Sequence, residues 1–231
     1  MPLLKLLIIN FKLLIMLGTL KVFCFDLDKL TAGSEQHLFD LLTYREKERI
    51  IKYVNPLDRL QRACGRVILK RMLIEEGYAE NVLQYIRLDQ YFRPYIDHLI
   101  DFNISHADKQ VVVAMSMNTR LGVDVEKVQE IDISNFDRVF VDDEADKIKL
   151  SNDPIRYFYE LWTKKEAVLK ANGKGFHLPL SAISIGSDSA SCEAEYWKLQ
   201  KMQVHPDYCC HLAFSGNQVI EQVTLEPSFL F

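Results

Sequence analysis

The chain has 231 residues, of which 48% are hydrophobic and 26% charged, a balance typical of one globular domain or two small lobes. Its formal net charge of -4 is too small to predict nucleic-acid binding, so any electrostatic function depends on local clusters of charge. The five cysteines include no CxxC pair, which argues against a zinc site or a disulfide framework and favours the reducing cytoplasm.

The first twenty residues are strongly apolar, but they do not have the pattern of a membrane anchor. Lys5 and Lys12 cut the apolar run well short of the ~20 residues that a span needs. No small-residue cleavage site follows it. We therefore expect no membrane association, and we interpret residues 1–20 as an N-terminal extension whose status stays open: an added segment, or one upstream of a start at Met16.

Hydrophobic periodicity predicts helices and strands that come in clusters along the rest of the chain. The chain-order prediction is a strand at 21–27, helical segments within 34–54, a helix from Pro56 toward Gly77, strands at 101–106, 110–117 and 121–128, helices at 142–150 and 154–172, and strands near 182–185, 193–204 and 208–215. This order indicates an α+β fold of two similar lobes. We place the first lobe at 21–120 and the second, which carries the acidic residues described next, at 121–231.

Two carboxylates lie on one face of the strand "LGVDVE". Side chains alternate along a strand, so Asp124 and Glu126 point one way while Val123 and Val125 point the other. Glu166 is a third acid, in the middle of an apolar helical stripe. Unit charges about 4 Å apart repel by about 4 kcal/mol at an effective dielectric near ~20. Magnesium would offset this repulsion, because it takes carboxylate oxygens and completes its shell with water and substrate phosphate.

Spacing alone leaves simpler interpretations open. An Asp-x-Glu pattern on a strand is commonly a solvated edge. Glu166 could simply pair with Lys170 one helical turn later, which would contribute about 0.2 to 0.5 kcal/mol.

Lysines and arginines form two groups near these acids. Lys164, Lys165, Lys170 and Lys174 surround the helix that ends at "NGKG", where glycine is expected to supply a left-handed cap. A helix C-terminus attracts cations in any case. Arg59, Arg62, Arg66 and Lys70 recur at helical spacing in the earlier helix. That stripe is either a solvated face or an anchor for phosphate groups.

The segment "NISHAD" places Ser105 and His106 at the end of a strand. A lone histidine is more often structural than ligand-binding, but a position next to a loop favours contact with a ligand.

Three segments together resemble the motifs of one enzyme family. "FNISHADKQVVVAMS", "LGVDVEKV" and "FYELWTKKEAVLKANGKGF", in that order and separation, are similar to the "NISH", "G(I/V)D(I/V)E" and "(F/W)xxKE(A/S)xxKxxGxG" motifs of the surfactin-type (Sfp-type) 4'-phosphopantetheinyl transferases. The likeness runs from about Lys21 to the "VHPDYCCHLAFS" strand. Members of this family are pseudo-dimeric α+β proteins with coenzyme A held between two lobes, so the resemblance implies the same architecture here.

The resemblance also implies the reaction. The 4'-phosphopantetheine arm of coenzyme A moves to a serine of an apo acyl or peptidyl carrier protein, and 3',5'-adenosine bisphosphate is released. Such an enzyme is a magnesium-dependent holo-[acyl-carrier-protein] synthase. A two-lobed chain with its site inside needs no partner subunit, so we expect a cytoplasmic monomer.

Site residues follow from the resemblance position by position. The motif acids that hold magnesium match Asp124, Glu126 and Glu166, and the motif lysines near the phosphates match Lys165 and Lys170. The pair that contacts coenzyme A matches Ser105 and His106, with the histidine toward the 3'-phosphate. Glu144, twenty residues beyond Asp124, matches a further acid that family members often carry.

Two positions depart from the family pattern. The family's "GKP" turn is here "YFRPYI", in which Arg93 and Pro94 fit but Phe92 replaces the glycine. The family's arginine in the earlier helix falls at Gln61, which leaves its neighbours Arg59 and Arg62 as the alternatives for gripping the 3'-phosphate.

A mechanism follows as a hypothesis. Glu166, directly or through a water, would accept the proton of the attacking serine, and Lys170 would stabilise the charge on the leaving phosphate. The alternative functions are a non-catalytic coenzyme A or nucleotide-binding module, a magnesium-dependent phosphohydrolase, and a structural protein with charged strands.

Overall fold

The computed structural model describes residues 18–136 and 139–231. Apart from its last three residues, the extension interpreted at 1–20 lies outside the described residues. None of the helices in the described ranges has both the length and the apolar character needed to cross a membrane.

Helices and strands are numbered here in chain order over the described residues. The α-helices are α1 (Ser34–Asp40), α2 (Tyr44–Ile50), α3 (Pro56–Glu75), α4 (Asp142–Leu150) and α5 (Pro154–Asn172). The strands are β1 (Thr19–Asp26), β2 (Arg87–Leu88), β3 (Pro94–Tyr95), β4 (Ile100–Ala107), β5 (Gln110–Met117), β6 (Leu121–Lys127), β7 (Ser184–Ile185), β8 (Ser189–Cys192), β9 (Glu195–Lys201), β10 (Tyr208–Phe214) and β11 (Val219–Thr224). Short 3-10 turns occupy Leu27–Lys29, Val82–Tyr85, Ile133–Phe136, Gly175–His177, Leu180–Ala182 and Pro227–Phe229.

The first sheet has the strand order β11-β1-β5-β4. All neighbours in it are antiparallel except β1 and β11, which are parallel. Helix α3 packs its apolar face on this sheet, where Val67, Ile68 and Met72 join Phe102 and Val113 in one core cluster. Leu225 and Leu230, which follow β11, belong to the same cluster.

The second sheet has the order β6-β10-β9-β8-β7 and is antiparallel throughout. One of its faces packs on the first sheet in a core that includes Val22, Ala114, Val123 and Leu212. Helix α5 covers its other face, where Ala167 and Ala213 are fully buried. The resulting layers are helices, sheet, sheet and helices, which confirms the α+β class.

Side chains of β4 complete the hydrogen bonding of β6, the edge strand of the second sheet. The backbone N–H of Leu121 donates to Asp101 Oδ2 at 2.8 Å, and that of Val123 to Asn103 Oδ1 at 3.1 Å. Val125 N–H donates in the same way to Ser105 Oγ at 3.2 Å. Alternate residues of β4 thus satisfy alternate donors of β6. This ladder fixes the "NISH" strand beside the strand that carries the acids.

Gly122 allows β6 and α5 to approach one another closely. A Cβ at this position would lie less than 3.0 Å from Ala167 O, Ala171 N and Lys170 C, all of which are backbone atoms of α5. Any side chain at 122 would therefore push the helix away from the strand.

Most elements lie where the hydrophobic pattern predicts them. Helices α4 and α5 match the predicted bounds, and Gly173 ends α5 with the expected left-handed conformation at φ 83°. The helical segments predicted within 34–54 are α1 and α2, which are separate helices because Thr43 caps the second one by accepting from Glu46 N–H. Strands β2, β3, β8 and β11 were not predicted. Since β11 joins the first sheet, the sheets do not divide the chain at 120, and the lobe boundaries stay a prediction.

Candidate active site

The acids of β6 face helix α5, as the strand alternation predicts. Val123 and Val125 point into the core between the sheets, so Asp124 and Glu126 point to the opposite face. On the neighbouring strand β10, Asp124 lies opposite His211. Burial, with Lys164 and Lys201 adding to it, lowers the pKa of His211 to about 3, so this imidazole is neutral and supplies no counter-charge.

Lys170 of α5 supplies the positive charge beside Asp124. Its Nζ donates to Asp124 Oδ1 at 2.6 Å, to Ser105 Oγ at 3.0 Å and to Val123 O at 3.2 Å. Asp124 is 3% exposed, and its burial raises the pKa of the carboxyl while the Lys170 ammonium opposes that shift. All three Nζ donors therefore have protein acceptors. Ser105 and Asp124 are brought together across the β4–β6 ladder, where Ser105 Oγ donates to Asp124 Oδ1 at 3.1 Å, whereas His106, the next residue on β4, lines a neighbouring cavity with Arg62 and Arg66.

The carboxyl groups of Glu126 and Glu166 face the same space, and their pKa values shift in the same direction for the same reasons. Burial raises the pKa of Glu126 to about 7, with the Asp124 charge adding to the shift and Lys170 opposing it. Burial also raises the pKa of Glu166, again with a contribution from Asp124. The three carboxyl groups thus make one another harder to ionise, as expected for acids gathered in a partly buried site.

A cavity opens beside Glu166, which lines it, while Asp124 and Glu126 do not. It has a volume of about 340 Å³, and Glu166 and Lys170 line one side while Arg93, Pro94 and Asn103 line another. Pro94 and Asn103 also line a second cavity of about 210 Å³, together with Arg62, Arg66 and His106. The two cavities therefore adjoin one another at Pro94 and Asn103, and we treat them as the two ends of one candidate cleft, the first lined by the Glu166 carboxylate and the second by arginines. We call them the acidic end and the basic end.

The basic end carries two arginines whose hydrogen-bonding capacity is only partly used. Arg62 Nε and Arg66 Nη1 are buried with no hydrogen-bond acceptor among the described residues. The Arg62 guanidinium stacks on Tyr53 at 3.8 Å from the ring centroid. Burial and the charges of Arg62 and Lys170 lower the pKa of His106 to about 4, so its ring is neutral at physiological pH. Buried guanidinium groups without acceptors are suited to binding an anion.

Lys165 does not lie at the cleft, contrary to the role that the resemblance implies. It is fully buried, and its Nζ contacts Glu144 Oε2 at 2.9 Å and the carbonyls of Leu180 and Ile183. Consecutive helical residues point about 100° apart, so Lys165 faces away when Glu166 faces the acids. Glu144 is the partner in this separate ion pair and also accepts from Val141 N–H.

Arg93 lines the cleft but uses its guanidinium to tie elements together. Its Nη2 lies 2.7 Å from both Asp101 oxygens and 2.9 Å from Leu121 O, and its Nη1 donates to Lys170 O. The next residue, Pro94, contacts both ends of the cleft. Phe92 adopts φ 64°, a conformation that favours glycine, at the position where the family turn has one.

A larger cavity of about 480 Å³ lies on the other side of Arg93. Its charged side chains are paired with one another, Arg120 with Glu195 at 2.8 Å and Lys174 with Glu193 at 2.6 Å. Because these charges are already satisfied, we place the site in the cleft between the acids and the arginines.

Three residues in or next to the cleft were not predicted as site residues from the sequence. Asn103 lies two residues before Ser105 on β4 and therefore shares its face, a signal that alternation could have given. Arg66 was noted in the basic stripe but not assigned to the site. Glu46, which contacts Arg66 from another helix, left no sequence signal.

The three acids supply the oxygen donors that a metal ion would need. Their positions, however, do not form a complete ligand set among the described residues. Asp124 Oδ2 is buried with no hydrogen-bond partner among the described residues. A buried carboxylate oxygen without a partner is a favourable position for a cation. Over 18–136 and 139–231, however, no three His, Cys, Asp or Glu side chains are gathered closely enough to hold a metal. Carboxylates without a cation between them repel, and Lys170 already neutralises the most buried one.

Sequence comparisons identify the relatives of this chain. The family model described as the 4'-phosphopantetheinyl transferase superfamily matches residues 120–221, which include β6, α5 and the three acids. The "4'-phosphopantetheinyl transferase gsp" of Aneurinibacillus migulanus is 34% identical over 157 residues, which cover 65% of this chain and 66% of the relative. This chain therefore spans about two thirds of the length of that relative.

Two further relatives come from Bacillus subtilis. A "4'-phosphopantetheinyl transferase" is 26% identical over 82% of this chain and 95% of its own. The "4'-phosphopantetheinyl transferase Sfp" of strain 168 is 26% identical over 72% of this chain and 76% of its own. These matches confirm the resemblance that the three motifs predicted, and the chain belongs to the 4'-phosphopantetheinyl transferase superfamily, with Sfp-type relatives.

Proposed function

We propose that this protein transfers the 4'-phosphopantetheine group of coenzyme A to a serine hydroxyl of an apo carrier protein, and that it releases 3',5'-adenosine bisphosphate. The observation that carries the proposal is the two-ended cleft: Glu166 and Lys170 line one end, and at the other end Arg62 and Arg66 each have one buried nitrogen with no acceptor among the described residues. A nucleotide with a pyrophosphate and a further terminal phosphate has the matching distribution of charge.

Coenzyme A would lie along the cleft with its 3'-phosphate at the basic end. Arg62 and Arg66 offer buried donors there, and His106 adds one ring N–H. A bound phosphate would raise the pKa of His106 from about 4 by attracting the protonated form. This orientation brings the pyrophosphate toward Lys170 and the acids.

Magnesium would be held by Asp124, Glu126 and Glu166. Their oxygen donors suit a hard cation, and Asp124 Oδ2 has no hydrogen-bond partner within 18–136 and 139–231. When bound, the ion supplies positive charge that stabilises the phosphoryl oxygens as the phosphate bond is exchanged. A positive ion would also lower the raised pKa values of Glu126 and Glu166 toward their ordinary range.

Glu166 is the best placed group to accept the proton of the attacking serine. It lines the cleft, and a bound cation would keep its carboxylate ionised and therefore able to accept a proton. Lys170 lines the same wall and stabilises negative charge on the leaving phosphate through its own charge. Asp124 and Ser105 hold the Lys170 ammonium in that place. Positioning and electrostatics therefore account for most of the catalysis.

The test is to weigh a carrier protein after incubation with coenzyme A and magnesium. We expect the wild-type protein to add one phosphopantetheine group, and we expect Glu166→Gln and Asp124→Ala to add none while remaining folded. Glu160→Gln is the matched control on the same helix, since Glu160 bridges Lys201 and does not line the cleft. Full transfer by either acid variant under limiting magnesium would overturn the assignment of those residues.

The same assay separates the alternatives. A non-catalytic coenzyme A-binding module would bind coenzyme A and leave the carrier mass unchanged. A phosphohydrolase would consume coenzyme A without a carrier. Repeating the assay with fatty-acid, polyketide and peptide-synthetase carriers identifies the acyl or peptidyl partner. We further propose a cytoplasmic monomer, in keeping with the five free, buried cysteines.

A further inference from the structure

Glu46 is a buried carboxylate on α2, held between two arginines. It is 1% exposed. Its Oε2 lies 3.2 Å from Arg66 Nε, and its Oε1 lies 3.4 Å from Arg49 Nη1. Thr43 caps the helix so that Glu46 falls in the first turn and points toward α3. A charge this buried has a considerable desolvation cost, which its contacts with the two arginines must offset.

The contact with Glu46 determines how Arg66 faces the basic end. Glu46 takes the Nε side of the guanidinium, and Arg66 lines the cavity with its Nη1 buried and without an acceptor among the described residues. A guanidinium is a planar fork, so an acceptor that fixes one edge also fixes the direction of the others. The arginine is thereby oriented before any ligand arrives.

The charges around this end leave an excess of positive charge. Arg49, Arg62 and Arg66 face Glu46 and Asp58, the latter close enough to His106 to affect its pKa. Next to this ion pair lies a second arginine, Arg62, whose buried Nε has no acceptor in the part of the chain that the structure describes. Packing alone does not explain a buried donor without an acceptor. The excess is suited to a doubly charged phosphate.

We infer that Glu46 is a positioning residue that makes the enzyme prefer coenzyme A over its analogue without the 3'-phosphate, because it aims the Arg66 guanidinium at that phosphate. The inference rests on the proposed function and adds a selectivity device to it. Glu46 touches neither substrate nor metal, and it acts only through Arg66. The pantetheine and pyrophosphate parts of the substrate, which both donors share, lie outside its influence.

The test compares coenzyme A with 3'-dephospho-coenzyme A as donors to the same carrier protein. The ratio of the two kcat/KM values measures the preference. We expect Arg66→Gln and Glu46→Gln each to reduce that preference by about tenfold or more, the effect of losing one charge-assisted hydrogen bond. The loss should appear as a higher KM for coenzyme A, while kcat and the kcat/KM for the dephospho donor stay close to wild type.

Matched controls separate positioning from general damage. Glu48→Gln lies on the same helix and loses only an exposed contact with the Tyr44 hydroxyl, so it should keep the wild-type preference. Arg66→Lys keeps the charge but loses the fork that Glu46 aligns, so it should lose preference as Arg66→Gln does. The double variant Glu46→Gln with Arg66→Gln should be no worse in preference than Arg66→Gln alone.

Each outcome decides the matter. Glu46→Gln that handles the dephospho donor normally and still prefers coenzyme A would overturn the inference. If Glu46→Gln does not fold, full preference in Arg66→Lys would overturn it instead. A wild-type protein that uses both donors equally well would refute this inference and leave the proposed function standing, whereas one that uses neither donor would refute the proposed function itself.

Discussion

Replacing Gly122 by alanine tests whether the contact between β6 and α5 sets the geometry of the cleft. The added Cβ would lie less than 3.0 Å from three backbone atoms of α5, contributed by Ala167, Lys170 and Ala171. Backbone atoms of a helix cannot rotate away as a side chain does. The helix must therefore retreat by about 1 Å to restore ordinary contact.

The expected cost has two parts. Overpacking of this kind typically destabilises by about 1 to 3 kcal/mol. Alanine also restricts the unfolded chain more than glycine, which returns about 0.4 to 1 kcal/mol at a position with ordinary φ. We expect Gly122→Ala to lower the free energy of unfolding by about 2 kcal/mol. Because Glu166 and Lys170 move with α5, a shift of about 1 Å should lower kcat/KM about 100-fold.

Urea unfolding and the carrier-mass assay measure these two effects. Gly65→Ala is the control for stability: its Cβ would meet the side-chain atom Ile104 Cγ2 at 2.8 Å, which can turn aside. Alanine also improves the interior of a helix by about 1 kcal/mol, so we expect Gly65→Ala to be nearly neutral. If Gly122→Ala were as stable and as active as wild type, the close approach of α5 to β6 would not govern the site.

Two further predictions concern buried charges. In metal-free protein the free energy of unfolding should fall as pH rises from about 4.5 to about 7, because folded Glu126 holds its proton over that range and the unfolded chain does not. The pKa change corresponds to about 3 kcal/mol, which we discount to about 2 kcal/mol for solvent screening. In urea titrations with a chelator, Glu126→Gln should flatten the dependence of stability on pH. An unchanged dependence would contradict the assignment to Glu126. Lys165→Met should destabilise by about 3 kcal/mol, since it leaves Glu144 buried and unpaired. Adding Glu144→Gln should recover most of that loss in the same urea experiment, and failure to recover would show that the carbonyl contacts of Lys165 matter more than the ion pair.

The local features of the fold could be predicted from the sequence. Helix α5 is bounded by Pro154 and by Gly173, two residues whose backbone preferences are strong enough to read directly. The alternation in "LGVDVE" placed Asp124 and Glu126 on one face because a strand has a fixed period of two. These signals depend on neighbours along the chain, and so they are visible without a structure.

Contacts between distant segments of the chain could not be predicted from the sequence. The direction in which Lys165 points depends on Glu144 and on the carbonyls near Ile183, which the motif does not contain. The pairing of Glu46 with Arg66 depends on how α2 packs on α3. Strand β11 was missed because "VIEQVT" is half polar, and its partner β1 lies about 200 residues earlier. Such contacts are set by tertiary packing, which local periodicity does not record.

The parallel pairing of β1 with β11 has a consequence for how the protein is made. On the ribosome, β1 leaves among the first described residues, yet one of its two edges stays open until Val219–Thr224 have been synthesised. Contacts so far apart in the chain form slowly, and an open strand edge favours aggregation while the nascent chain waits. We therefore expect expression yield to respond more to chaperone supply and growth temperature than to point changes in the cleft.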